Sequence, residues 1–311
     1  MTSAHVADEV IDTAAIRAFT EEFGDLATAM PPVAIVIAAF NEEGAIGPVV
    51  DTLPRAVAGL DTVTIVVSDG SVDATGKDAR VAGALVCDVP VNRGQGSALR
   101  LGYRLARNGG ARYIVTTDAD GQYNPAEIES LLAPILADEA DFVTGSRKLG
   151  SEETKDPVRK LGVRVFALAI SVLTGQRISD TTFGLRAMRA EVTGAVRLEQ
   201  PQYQASELLI GVITHGYRVA ERPATIQRRR VGRSKKGNNA LYAMRFAGVV
   251  VTTWWRERQR RARGGRPGPA GAEPLGDGVI ANDSGPEPTA RPERGDGSDA
   301  PGFGPRSLKS T

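Results

Sequence analysis

Two carboxylates one residue apart, Asp118 and Asp120, close a short apolar run, Tyr113-Ile-Val-Thr-Thr117. Gly121 and Gln122 follow, and Pro125 opens a helical pattern. A strand that stops at Asp-x-Asp sets two oxygen donors at the carboxyl edge of a sheet, where open α/β sheets bind ligands. Hard oxygens suit Mg²⁺ or Mn²⁺, ions commonly held by one or two carboxylates together with substrate phosphates. Gln122 offers a further oxygen. Taken alone, the pair is equally an acidic turn that ends a strand, because Asp and Gly are common turn formers. The other polar clusters weigh on that choice: Phe40-Asn41-Glu42-Glu43-Gly44, Ser68-Asp69-Gly70-Ser71, Asn92-Arg93-Gly94-Gln95-Gly96-Ser97 and Ser146-Arg147.

Each cluster follows an apolar, β-rich run: 33–39, 63–67, 84–89, 113–117 and 142–145. Helical patterns separate the runs, one carrying Ile46, Val49, Val50 and Leu53, others over 73–82 and 98–107, and one with Ile128, Leu131, Leu132, Ile135 and Leu136. Asn41 reads as the N-cap of the first of these helices, with an acidic first turn. Strands alternating with helices predict an α/β fold with a doubly wound, mostly parallel sheet. All the polar clusters then share one edge of the sheet, which merely structural turns have no need to do.

Residues 1–32 are acidic and Ala-rich, helical over about 11–23, and read as an N-terminal extension without chemistry. Residues 149–157 read as a loop, 158–173 as a helix apolar on one face, and 217–221 and 224–227 as short strands. Arg228 to Gly237 packs six cations into ten residues, with Gly232 and Ser234 giving the character of a lid over phosphates. A helix over 239–263 ends in Trp254-Trp255 and an Arg-rich stretch, a pattern that suits an anionic membrane surface and equally a packed helix with a solvated basic end. Residues 264–311 are Gly-, Pro-, Ser- and Asp-rich, the composition of a disordered tail. The expected division is therefore 1–32, 33–237, 238–263 and 264–311.

The net charge of +1 points to no nucleic acid partner. A single cysteine, Cys87, fits a reducing compartment, and with only His5 and His215 a zinc site is not expected. No signal-peptide pattern occupies residues 1–30, and no apolar run reaches the ~18–20 residues of a membrane span. These features predict a cytoplasmic protein, peripheral on the cytoplasmic face of a membrane.

In their order along the chain, the clusters from Val36 to Lys236 resemble family 2 glycosyltransferases of the GT-A type, close to the dolichol-phosphate or polyprenyl-phosphate hexose synthases. The matching stretches include Phe40-Asn41-Glu42-Glu43, Ser68-Asp69-Gly70-Ser71, Asp118-Ala119-Asp120-Gly121-Gln122, Gly145-Ser146-Arg147, 180–186 and 230–236. One departure is Ser68, where the family often has a first acid before Asp-Gly-Ser. The resemblance implies a nucleotide-sugar donor of the GDP-mannose or UDP-glucose type and a polyprenyl phosphate acceptor, with inversion at the anomeric carbon. Breaking a sugar–diphosphate bond builds negative charge on the leaving group, which a divalent ion stabilises. Asp118, Asp120 and Gln122 are the expected Mg²⁺ or Mn²⁺ ligands. Phe40, Asn41, Glu42, Asp69, Arg93 and Gly94 are expected at the donor. Arg147, Arg186, Arg230, Arg233 and Lys235 are expected at the phosphates of acceptor or donor, since Arg forks suit phosphate oxygens.

A phosphate acceptor is already an anionic nucleophile, whereas a hydroxyl of a glycan, lipid or natural product needs a base, for which Asp180 is the candidate. A haloacid-dehalogenase-type phosphatase also places Asp-x-Asp after a strand, but Gln122 stands where Thr or Val is expected. A non-catalytic nucleotide-sugar sensor is the remaining alternative.

Overall fold

The computed structural model describes residues 3–152, 157–196, 198–200, 204–227 and 239–262. The chain runs α1 (Ser3–Phe23), α2 (Asp25–Thr28), β1 (Val33–Ala39), α3 (Ile46–Thr52), β2 (Ala56–Val57), β3 (Leu60–Asp69), α4 (Thr75–Val81), β4 (Leu85–Val89), α5 (Gln95–Asn108) and β5 (Tyr113–Asp118). A 3₁₀ turn (Pro125–Glu127), α6 (Ile128–Leu136), β6 (Phe142–Glu152), α7 (Pro157–Thr174), β7 (Arg186–Arg189), α8 (Val192–Ala195), α9 (Gln204–Thr214), β8 (Val219–Ile226) and α10 (Asn239–Ala262) complete it.

β3, β1, β5, β7, β6 and β8 lie side by side in that order, with β4 on the outer side of β3. The two-residue β2 pairs antiparallel with the start of β3. β4, β3, β1 and β5 are mutually parallel. β7 runs antiparallel between β5 and β6, and β6 and β8 are parallel to each other. The sheet is thus α/β and mostly parallel, as the alternating pattern predicts.

The strands read as unbroken apolar runs because both faces of the sheet are covered. On one face Ala34 and Val36 of β1, Ile65 and Val67 of β3 and Ile114 of β5 pack under α5 and α9. On the other, Ile35 and Ile37 of β1 and Val115 of β5 meet α3 and α6. The registers Ala38↔Asp118 and Ala39↔Ser68 bring the ends of β1, β3 and β5 to one edge.

Three features depart from the sequence reading. Residues 1–32 read as an appendage, but Ala15 and Phe19 of α1 are buried in the core where α1 packs on β4, and Cys87 of β4 lies with its Sγ 3.9 Å from the Ala15 carbonyl. Residues 149–157 read as a loop, but β6 continues to Glu152, held to β8 by Ser151↔Thr225 across a register shift. The two short strands expected over 217–227 are one, β8, which runs through Pro223. The expected C-terminal helix is α10. The cationic run 228–237 and the tail 264–311 lie outside the described residues.

Candidate active site

The first loop of the site follows β1. Asn41 adopts a left-handed backbone (φ 52°) and is no helix cap: α3 begins five residues later, at Ile46. Its side-chain oxygen accepts from the Val72 amide (3.0 Å), and its own amide donates to Ser71 Oγ (3.1 Å). The Glu42 amide donates to Thr75 Oγ1 (2.8 Å). The loops after β1 and β3 are therefore stitched to one another, with Phe40 half-buried at their base.

Asp69 ends β3 and is buried. Its Oδ2 accepts from the amides of Arg93 (3.0 Å) and Gly94 (2.7 Å). Its Oδ1 is buried without a hydrogen-bond partner. Burial raises the Asp69 pKa, against the two amides and the Arg93 charge, which pull it down. Gly94 sits at φ 93° directly before α5, in the left-handed region that a side chain would strain. Arg93 is expected at the donor. The structure turns its guanidinium the other way: Nη2 is 2.8 Å from Asp12 Oδ1 on α1, and Nη1 donates to the Asp8 carbonyl (3.2 Å). Arg93 meets the site through its backbone.

Asp118 and Asp120 close β5. Gln95, the first residue of α5, donates from Nε2 to Asp118 Oδ1 (3.1 Å). Asp120 is buried, and its Oδ1 accepts from the Gln122 amide (3.1 Å). The Gln122 side-chain amide donates to the Gln227 carbonyl (3.0 Å), and the Gln227 amide returns a bond to the Gln122 carbonyl (2.8 Å). Gln122 thus ties the pair to the exit of β8, directly before the cationic run. A cavity of about 240 Å³ opens here, lined by Asp118, Asp120, Tyr123 and Gln227 on one side and Pro48 and Val49 of α3 on the other. It lies between the chain segments leaving β1 and β5, the strands from which the sheet is wound in opposite directions, where α/β sheets bind ligands.

The segment after α7 completes the site. The Gly184 amide donates to Tyr123 Oη (2.8 Å), and its carbonyl accepts from Thr116 Oγ1 (2.8 Å). A Cβ at Gly184 would stand 2.8 Å from Asp118 Oδ2, so only glycine lets this backbone approach the carboxylate. Tyr123 packs on Phe183, ring centroids 4.9 Å apart. Asp180 is fully buried and takes Arg147 Nε on Oδ2 (2.6 Å) and the Thr182 amide on Oδ1 (3.1 Å). Both oxygens are engaged, an arrangement that holds Arg147 in place beside the candidate base position expected for a hydroxyl acceptor. Glu221 of β8 accepts from the Ser179 and Asp180 amides and pins this segment to the sheet. Arg186 of β7 is buried, its guanidinium donating to the Phe183 carbonyl. Burial lowers its pKa, opposed by Tyr103, Tyr123 and Asp118 nearby.

Phe40, Asn41, Glu42, Asp69, Asp118, Asp120, Gln122, Arg147 and Arg186 therefore lie on or beside one edge of the sheet. Arg230, Arg233 and Lys235 fall outside the described residues. Sequence reasoning missed Gln95, Tyr123 and Glu221 as site residues. The first two sit inside or beside the polar clusters and were open to notice. Glu221 carries no local signal, because its partners are some forty residues away.

The family profile described as "Glycosyl transferase family 2" matches residues 34–196, more than half of the chain. The chain belongs to glycosyl transferase family 2. This glycosyltransferase is 34% identical over 203 residues to a dolichyl-phosphate hexose transferase of Haloferax volcanii, covering 65% of this chain and 86% of the relative. It is 32% identical over 244 residues to a polyprenol monophosphomannose synthase of Mycolicibacterium smegmatis, covering 74% and 89%. Among solved structures, glucosyl-3-phosphoglycerate synthase from Mycobacterium tuberculosis, in complex with Mn²⁺, uridine diphosphate and phosphoglyceric acid, shares the GT-A fold at TM-score 0.58 and 22% identity, over 76% of this chain and 82% of that one.

Two carboxylates and no third His, Cys, Asp or Glu cluster at the site among the described residues. That set fits Mg²⁺ or Mn²⁺, which complete their shells with substrate phosphates and water, and not zinc.

Proposed function

We propose that this glycosyltransferase moves a hexose from a nucleoside-diphosphate sugar to a polyprenyl or dolichyl phosphate, with inversion at the anomeric carbon and dependence on Mg²⁺ or Mn²⁺. The observation that carries the reading is the closing of Asp180 onto Arg147 beside the Asp118/Asp120 pair. A hydroxyl acceptor requires a base, and the acid expected in that role is engaged on both oxygens. A phosphate acceptor needs no base and needs cations, which Arg147 and Arg186 supply on this side of Asp118. The relatives named for lipid-phosphate sugar transfer support the same acceptor class.

In this reading the donor base and ribose occupy the crevice edge formed by Phe40, Asn41, Glu42 and Asp69. Asp118 and Asp120 would hold the divalent ion, with Gln122 beside them. When bound, that ion offsets the charge of the departing diphosphate. Gln95 holds the Asp118 carboxylate, and Asp180 would orient the Arg147 fork towards phosphate oxygens. Arg230, Arg233 and Lys235 would add cations over the acceptor phosphate.

The acceptor class puts the protein at a membrane surface, on the cytoplasmic face, in keeping with its single cysteine. No described helix is long and apolar enough to cross a membrane. α7 exposes Val165, Leu168 and Val172, and α10, packed against it, exposes Val251 and Trp255. Apolar side chains flanked by Arg164 and Arg258 suit the boundary of an anionic bilayer.

Incubation with Mn²⁺ or Mg²⁺, GDP-mannose or UDP-glucose, and a polyprenyl phosphate should yield a glycosyl phospholipid in the organic phase. Transfer to a glycan hydroxyl with the lipid phosphate left unglycosylated would overturn the acceptor assignment.

A further inference from the structure

We infer that Asp12 on α1 is a positioning residue for the donor site, acting through Arg93; the inference rests on the donor-site reading above. Asp12 is 3% exposed and the Arg93 side chain 8%. Their 2.8 Å ion pair is thus withdrawn from water, in a region that the composition presents as a solvated acidic lead. Desolvating two charges is expensive, and removing one partner strands the other. Apolar contacts of Ala15 and Phe19 already dock α1 on the core.

The connection to the site is short. Arg93 and Gly94 present consecutive amides to Asp69 Oδ2, the buried carboxylate at the donor edge. Anchoring the Arg93 side chain on α1, through Asp12 and the Asp8 carbonyl, fixes the backbone that aims those amides. It also fixes the start of α5, and with it Gln95, which donates to Asp118. One buried acid on the N-terminal helix therefore sets the geometry of two loops that line the donor crevice. The neighbouring Glu9–Arg104 pair joins α1 to α5 itself but is exposed and touches no part of the site.

The experiment compares the full-length protein with Asp12→Asn, Arg93→Gln and Glu9→Gln. Binding of uridine and guanosine diphosphates with Mg²⁺ is measured by calorimetry, alongside donor KM, acceptor KM, kcat and melting temperature. Asp12→Asn should raise the nucleotide Kd and donor KM on the order of tenfold while acceptor KM stays near wild type, since misplacing binding groups is felt at the ligand they hold. Arg93→Gln should reproduce that split, and it stands in should Asp12→Asn not fold. Glu9→Gln should leave all the kinetic values unchanged. Equal nucleotide affinity in wild type and the folded variant, or matching rises in donor and acceptor KM, would overturn the inference alone. Wild type that binds neither nucleotide would overturn the donor-site reading and this inference with it.

Discussion

Asp69 holds two demands in tension. Its Oδ2 is satisfied by two amides, while its Oδ1 is buried with no partner, an arrangement that stability alone does not favour. Because burial raises its pKa, folding favours the neutral acid, and the penalty for ionising it grows as pH rises above the unfolded-state pKa and is complete above the folded-state pKa. Below the unfolded-state pKa that penalty is absent. Asp69→Asn should therefore melt higher than wild type near pH 7, with the gap closing as pH falls below about 4, while nucleotide binding weakens. Melting scans across pH check this, and a gap that widened towards acid would refute it. Asp120→Asn should lower metal-dependent turnover on the order of 10²–10³-fold with the melting temperature preserved, since several kcal/mol of leaving-group stabilisation are at stake. Near-normal turnover would remove Asp120 from the metal assignment. At this scale the sequence was legible where chemistry is local. Asp69, Asp118 and Asp120 announce themselves by ending apolar runs. The orientation of Arg93 was hidden, because the acid that captures it lies on a helix some eighty residues earlier.

Among the elements, the parallel strands could be read because burial on both faces makes them continuous Val/Ile runs, whereas β7 could not. It is four residues long with Arg at each end, and inside the sheet the Arg186 guanidinium meets the Phe183 carbonyl, with Asp118 nearby favouring its charge. α10 carried two readings, membrane surface or packed helix, and the structure gives the packing half a definite form. Arg256 pairs with the buried Glu207 of α9 and with buried Glu257, which also meets His215, while Trp254 packs beside Ile170 and Ile210. Arg256→Ala leaves two buried carboxylates short of a cation and should cost about 3 kcal/mol by denaturant titration; a loss below about 0.5 kcal/mol would show the pairs to be solvated. The opposite face is a separate matter. Leu168→Glu with Trp255→Glu should reduce flotation with anionic vesicles and activity on long-chain acceptors, yet spare activity on short, water-soluble ones. Equal loss on both acceptors would argue that these side chains serve packing.

For the molecule as a whole, α1 closes one face of the sheet directly over the single cysteine. Burial pushes the Cys87 thiol up to about 12, and the Ala15 carbonyl sits against it. A thiol so placed is inert while the helix is docked, because the reactive species is the thiolate. Lifting α1 is then the event that exposes it. The chain carries its own chemical clock: the rate of alkylation at one atom counts how often its N-terminal helix departs. Wild type should resist alkylation at neutral pH, and Asp12→Asn should label faster without global unfolding. Saturating nucleoside diphosphate should slow the wild-type clock, since a ligand that favours the docked arrangement lowers the population of the open one. Labelling of wild type at the rate of an exposed thiol would show that α1 does not stay docked in solution.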